Sequence, residues 1–124
     1  MKRLLLGLTI ACFSFLINLG LVAWVSQPYR DLKARELLLK QELRIIRRTI
    51  DEYAIDKKEL PKSLSDLVNN AYLSEIPNDS ITLRKDWIVE KGEDTVSSSG
   101  GVGVVDVRSN AEGKGTDGKS YIDY

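Results

Sequence analysis

The stretch GVVDVRSNAEGKGTDGKSYIDY, at the far end of the chain, gathers acids, glycines and two tyrosines after a short apolar run. A segment of this kind could hold an ion, shape a binding surface or finish a fold. Its carboxylates are also the nearest approach to catalytic chemistry. Asp86, Asp106, Glu112 and Asp117 are the only plausible carboxylates near one another. A general acid–base pair needs a defined separation and one raised pKa. The sequence supplies no apolar pocket to raise one. Asp106 reads more simply as a strand-edge or turn residue.

The rest of the composition narrows the chemistry further. The chain has 124 residues, no histidine and a single cysteine, Cys12. The commonest general base and zinc ligand is therefore missing, and neither an internal disulfide nor a cysteine-rich metal site can form. Formal net charge is +0, which gives no general attraction to nucleic acid. The expectation is a non-enzymatic protein: one small domain plus an appendage.

The appendage lies at the other end. MKR precedes LLLGLTIACFSFLINLGLVAWVS, and no charge occurs from Leu4 to Val25. At ~1.5 Å per residue, a helix of that length crosses a hydrocarbon core of ~30 Å. Residues 4–27 are assigned as a membrane span, with residues 1–3 as a short basic start. Trp24 and Tyr29 suit one interface. Lys2 and Arg3 favour a cytoplasmic start, whereas Arg30, Lys33 and Arg35 pull the other way. Ala11-Cys12 offers a second reading, a lipoprotein-type cleavage with Cys12 acylated. Against it, Thr9 stands where such a signal has leucine, and the apolar run continues past Cys12.

The segment that leaves the span is helical by pattern. Leu32, Leu39, Leu43, Ile46, Ile50 and Tyr53 recur at spacings of seven, four, three, four and three, one face of a helix. Leu37, Leu38 and Ile45 widen this stripe, which favours packing on a sheet over a two-helix coiled-coil seam. Glu36 and Lys40 form a favourable i,i+4 pair, and Arg44 with Arg48 an unfavourable one. Pro28 kinks or restarts the helix, and Leu60-Pro61 stops it.

A short helix follows in KSLSDLV, with Ser63 as N-cap, Asp66 three residues on, and Leu64, Leu67 and Val68 on its buried side. Pro77-Asn78-Asp79 is a turn, and Ile81–Leu83 a short strand. Residues 86–91 form a strand with Trp87 and Val89 on one face. Residues 101–109 form another, with Val102, Val104 and Asp106 on one face and Val105 and Val107 on the other. GEDTVSSSGG between them is a long, mobile hairpin loop. The fold class expected is α+β: one long N-terminal helix, transmembrane then amphipathic, packed on a small antiparallel sheet, with residues 28–124 as the globular domain.

Several separated words occur in an order that resembles the major pseudopilins of bacterial type II secretion systems and related type IV pilin-like proteins. They are PYRDLKARELLLKQELRIIRRTIDEYAIDKKELPKSLSDLV, AYLSEIPND, and DWIV followed by GVVDVRSNAEG…DG. The resemblance covers residues 28–124. It implies a structural subunit of a secretion or pilus-like filament, assembling through its apolar helix and the stem residues Leu32, Leu39, Leu43, Ile46 and Ile50. It implies a single-pass inner-membrane protein whose C-terminal domain is periplasmic, or extracellular in a filament. Its partners would be copies of itself or other pilin-like subunits, together with the assembly machinery. Gly7-Leu8 would be the prepilin peptidase site. Calcium in the terminal loop is a further implication, with Glu112, Asp117 and Asp123 as carboxylate ligands; the other reading is a hydrogen-bonded loop with Tyr121 and Tyr124 packed back on the sheet. No EF-hand spacing is present. The family's glutamate, five residues after the leader glycine, is Cys12 here. The competing reading is a membrane-anchored binding module of the cell envelope that never polymerises.

Overall fold

The computed structural model describes residues 1–24 and 27–124. Val25, where the uncharged run ends, lies outside the described residues. The chain is α+β, in the order α1 (Lys2–Lys57), α2 (Leu64–Asn69), β1 (Ile88–Glu93), β2 (Val102–Arg108) and a terminal 3-10 turn, Tyr121–Asp123. It divides into two units, Met1–Lys33 and Ala34–Tyr124.

In the first unit the helix is apolar and its described side chains are exposed on every face. It is long and apolar enough to cross a membrane. Three polar side chains within the apolar run turn back on the helix. Thr9 Oγ1 donates to Leu6 O at 2.8 Å, Ser14 Oγ to Ile10 O at 2.9 Å, and Asn18 Nδ2 to Ser14 O at 2.8 Å. Such internal pairing lowers the cost of polar groups in hydrocarbon.

The second unit is built on the other part of α1. Leu39, Leu43, Ile46, Ile50 and Tyr53 are buried and share one core with Leu64, Leu67, Trp87, Val104, Val107, Ala111 and Tyr121. The sheet has two antiparallel strands. A lone hairpin is marginal in water, so the helix face is what makes it stable. The stripe is narrower than its sequence implies: Leu37, Leu38 and Ile45 stay exposed. Two strands ~4.8 Å apart offer room for little more than one ridge of a helix. The helix ends at Lys57, with Lys58 in the left-handed region at φ 58°, before Pro61 is reached. Asp66 caps α2 by accepting from Ser63 N at 3.1 Å and Lys62 N at 2.7 Å.

Two strand expectations are corrected. Ile81–Leu83 is a turn. Asp79, fully buried, takes the amides of Ile81 (2.8 Å) and Thr82 (3.1 Å) on its Oδ1, and its carbonyl takes Leu83 N at 2.7 Å. Those donors are consumed locally, so no ladder can use them. The face alternation of β2 also differs. Glu90 pairs with Asp106 but Lys91 with Val104, so Val105 is an extra residue in β2. This bulge puts Val104 and Val107 together in the core and leaves Val105 46% exposed, lying over Gly92. Val102, at the start of β2, is exposed too.

The hairpin loop is tied at its base by a buried carboxylate. Asp94 Oδ2 accepts from Leu60 N at 2.9 Å, and its Oδ1 from Val96 N and Ser97 N at 3.0 and 2.9 Å. Gly103 lets β2 approach the 60–61 segment: a Cβ there would lie 2.3 Å from Leu60 Cβ, and the next amide, Val104 N, donates to Pro61 O at 2.8 Å.

Candidate functional site

The terminal loop closes onto α1 within the second unit. Glu36 is 3% exposed although it is a carboxylate. Its Oε1 accepts from Thr116 N at 2.8 Å and Tyr121 Oη at 3.1 Å; its Oε2 accepts from Thr116 Oγ1 at 2.5 Å. Burial alone pushes this carboxyl up. The Thr116 hydroxyl and amide and the Tyr121 hydroxyl outweigh burial, and hold it below its ordinary value. One helical turn on, Lys40 Nζ meets Asp117 Oδ2 at 3.2 Å. The expected Glu36–Lys40 pair is therefore replaced by two separate contacts to the loop. An exposed i,i+4 pair is worth a few tenths of a kcal/mol at most (~0.3–0.5). Three hydrogen bonds to a buried carboxylate outcompete it.

Asp117 is held by several groups at once. Tyr124 Oη donates to its Oδ1 at 2.7 Å and Lys119 N at 3.0 Å. The tyrosine hydroxyl, the Lys119 amide and then Lys40 pull its carboxyl down to about 2. The same contact, added to burial, pushes the Tyr124 hydroxyl up. Tyr121 and Tyr124 meet edge to face, centroids 5.7 Å apart, and Lys40 Nζ sits 4.4 Å from the Tyr124 ring centre. Gly115 makes room for the Tyr124 hydroxyl, which would lie 2.0 Å from a Cβ at that position.

Arg47 fastens the other side of the loop. Its Nε meets Asp106 Oδ1 at 2.7 Å, and its Nη2 donates to Val107 O and Tyr124 O, both at 2.9 Å. Glu42 similarly receives Ser80 N at 3.1 Å and Ser80 Oγ at 2.7 Å. A row of polar side chains on α1 thus receives the loops that cover the core. Beside Tyr124 runs an open groove of about 610 Å³, with Lys40, Arg44 and Arg48 along its helical wall and Lys119 on its loop wall.

The residues named from sequence fall as follows. Glu112 and Asp123 are exposed, and Asp117 is engaged as above. Among the described residues no three His, Cys, Asp or Glu side chains stand close enough to share a metal ion. Asp86 is bound by Thr82 Oγ1 at 2.6 Å, Asn110 Nδ2 at 3.3 Å and Arg84 Nη2 at 3.0 Å; Asp106 faces Arg47. Gly7 and Leu8 lie within α1, and Gly7 has open space beside it. Of the stem residues, Leu39, Leu43, Ile46 and Ile50 are consumed by the domain core; Leu32 lies in the first unit and is 37% exposed.

Glu36, Thr116 and Arg47 were missed by the sequence reading. One signal was available: Glu36 falls three residues before Leu39 and seven before Leu43, inside the apolar stripe itself. No family model, curated protein or solved structure matches this chain.

Proposed function

We propose that the chain is a structural, non-enzymatic subunit of a pseudopilus or type IV pilus-like filament, pilin-like in fold, anchored in the inner membrane with its domain on the periplasmic or outer side. The observation that carries this reading is the use of α1. Its first part exposes apolar side chains all round, and its second part spends its own apolar stripe on a small α+β domain. A helix of the first kind needs lipid or other apolar helices around it. Repeated contacts that do not close into a ring build a helical filament. Because the stem stripe is already buried, such contacts would fall on the span and on exposed positions such as Leu37, Leu38 and Ile45. Calcium in the terminal loop is not needed to hold it, since Glu36, Lys40 and Arg47 already do so.

The second reading is a membrane-anchored binding module that does not polymerise. It is favoured by one observation: no carboxylate occurs between Leu4 and Val25, and Cys12 stands where the family it resembles has a glutamate. A charge in the span is the device by which neighbouring subunits could pair in low dielectric.

Intact mass and N-terminal sequencing of protein extracted from its native membrane separate the two. A chain beginning at Leu8 is expected for a filament subunit. A chain beginning at Met1 supports the anchored module, and one beginning at an acylated Cys12 makes it a lipoprotein.

A further inference from the structure

The groove beside Tyr124 has a charge pattern that the fold does not use up. Lys40, Arg44 and Arg48 follow one another at four-residue steps on α1, ~6 Å apart along the axis. Lys40 is paired with Asp117, and Arg48 with Glu52 at 2.8 Å. The Arg44 side chain is exposed and makes no hydrogen bond or ion pair among the described residues. Lys119, on the loop wall, faces only the Tyr124 ring, its Nζ 5.7 Å from the centre. Two cations on opposite walls are therefore left without an acid. An exposed like-charged pair four residues apart, Arg44 and Arg48, costs the isolated helix a few tenths of a kcal/mol (~0.2–0.5). An acidic occupant would relieve it.

We propose that this groove docks a short acidic peptide segment of a partner protein. Two of its carboxylates pair with Arg44 and Lys119, and its backbone lies across the Tyr124 ring. The groove is concave, so a flat lipid surface fits it poorly. Two of its own lining residues, Asp51 and Asp117, are acids. They repel a continuous polyanion and limit the occupant to a short acidic run. The groove lies wholly within Ala34–Tyr124. The inference therefore stands apart from whether the chain polymerises.

The test uses the full chain in phosphatidylcholine nanodiscs, with acetyl-hexaglutamate amide as probe and amide NMR shifts as readout. Saturable shifts are expected at Arg44, Lys119 and Tyr124, lost as salt rises. The double variant R44Q/K119Q is expected to weaken binding by roughly fivefold or more, the size of two exposed ion pairs. K62Q/K91Q, which removes two exposed cations away from the groove, should leave it unchanged. R44E/K119E should exchange the preference, binding acetyl-hexalysine amide instead. An equal loss in K62Q/K91Q overturns the proposal by reducing the site to general charge attraction. So does unchanged affinity in R44Q/K119Q. Shifts at these amides with sn-glycerol 3-phosphate and none with hexaglutamate would assign the groove to a lipid headgroup and overturn it as well.

Discussion

Glu36 accepts both the amide and the hydroxyl of Thr116, a residue 80 positions further along the chain. The two contacts differ in kind. Oε1 faces N–H and the Tyr121 hydroxyl, which serve as donors, whereas Oε2 faces the Thr116 hydroxyl, which is able to donate or accept.

That asymmetry predicts a gap between two substitutions. Glu36→Ala leaves the Thr116 amide and Tyr121 hydroxyl without their acceptor and is expected to cost about 1–3 kcal/mol. Glu36→Gln keeps a carbonyl oxygen in the Oε1 position, and its amide donates to the reoriented Thr116 hydroxyl, so it costs less. Urea unfolding of the full chain in detergent micelles checks this. Equal losses in the two variants would mean that charge, not hydrogen bonding, holds the loop.

Acid is expected to loosen the same loop. The folded-state carboxyls of Glu36 and Asp117 lie below their ordinary values, Asp117 at about 2. The unfolded chain therefore binds more protons as pH falls through the ordinary carboxylate range. The contribution is complete above about pH 5, and is lost progressively towards pH 2. Melting temperature should fall over that window, and less steeply in E36Q/D117N. Parallel curves for the two proteins would place the acid sensitivity elsewhere.

Tyr124→Phe tests what depresses Asp117. Removing the hydroxyl leaves the Lys119 amide and Lys40 in place. The Asp117 carboxyl should titrate higher than about 2 but still below the ordinary aspartate range. Carbon-detected NMR of the side-chain carboxyl reads this directly. No change would assign the depression to the amide and the ammonium.

Core and surface positions of α1 should separate sharply. Leu43 is 1% exposed and Leu38 51%. Leu43→Ala is expected to cost about 2–5 kcal/mol, and Leu38→Ala within about 0.5 kcal/mol. If Leu38→Ala were the costlier in dilute micelles, the exposed row would already be covered by another molecule.

Gly103→Ala should destabilise by about 1–3 kcal/mol or more, because its methyl group meets Leu60 and the backbone of Pro61. Thermal melts of the variant beside Gly7→Ala, where a methyl meets nothing, give the internal control.

The long helix, the capped short helix and both main strands were legible because each rests on local pattern: an unbroken apolar run, a repeat near 3.6, an Asp three residues after Ser63. Trp87 and Val89 were placed on one face for the same reason. What escaped was set by distant residues. Nothing near Val105 announces that it is supernumerary; the bulge is a property of the pairing with Glu90 and Lys91. Ile81–Leu83 has strand-like composition, and only the buried Asp79 turns it aside. The terminal acids are grouped as calcium ligands on the strength of the family resemblance. In space Asp117 turns to Tyr124 and Lys40, while Glu112 and Asp123 face solvent.

The separation between Glu36 and Thr116 also sets a schedule for biosynthesis. Ribosomes add ~5–20 residues per second, so the 80 residues between the two contacts take on the order of several seconds to make. Early in that interval the stretch around Leu39, Leu43 and Ile46 has been translated but the strands that cover it have not, and the closing tyrosines follow only after Thr116. The nascent chain thus carries a bare apolar ridge next to a carboxylate that still has water for its partner. That hydration is given up when Thr116 arrives with its amide and hydroxyl.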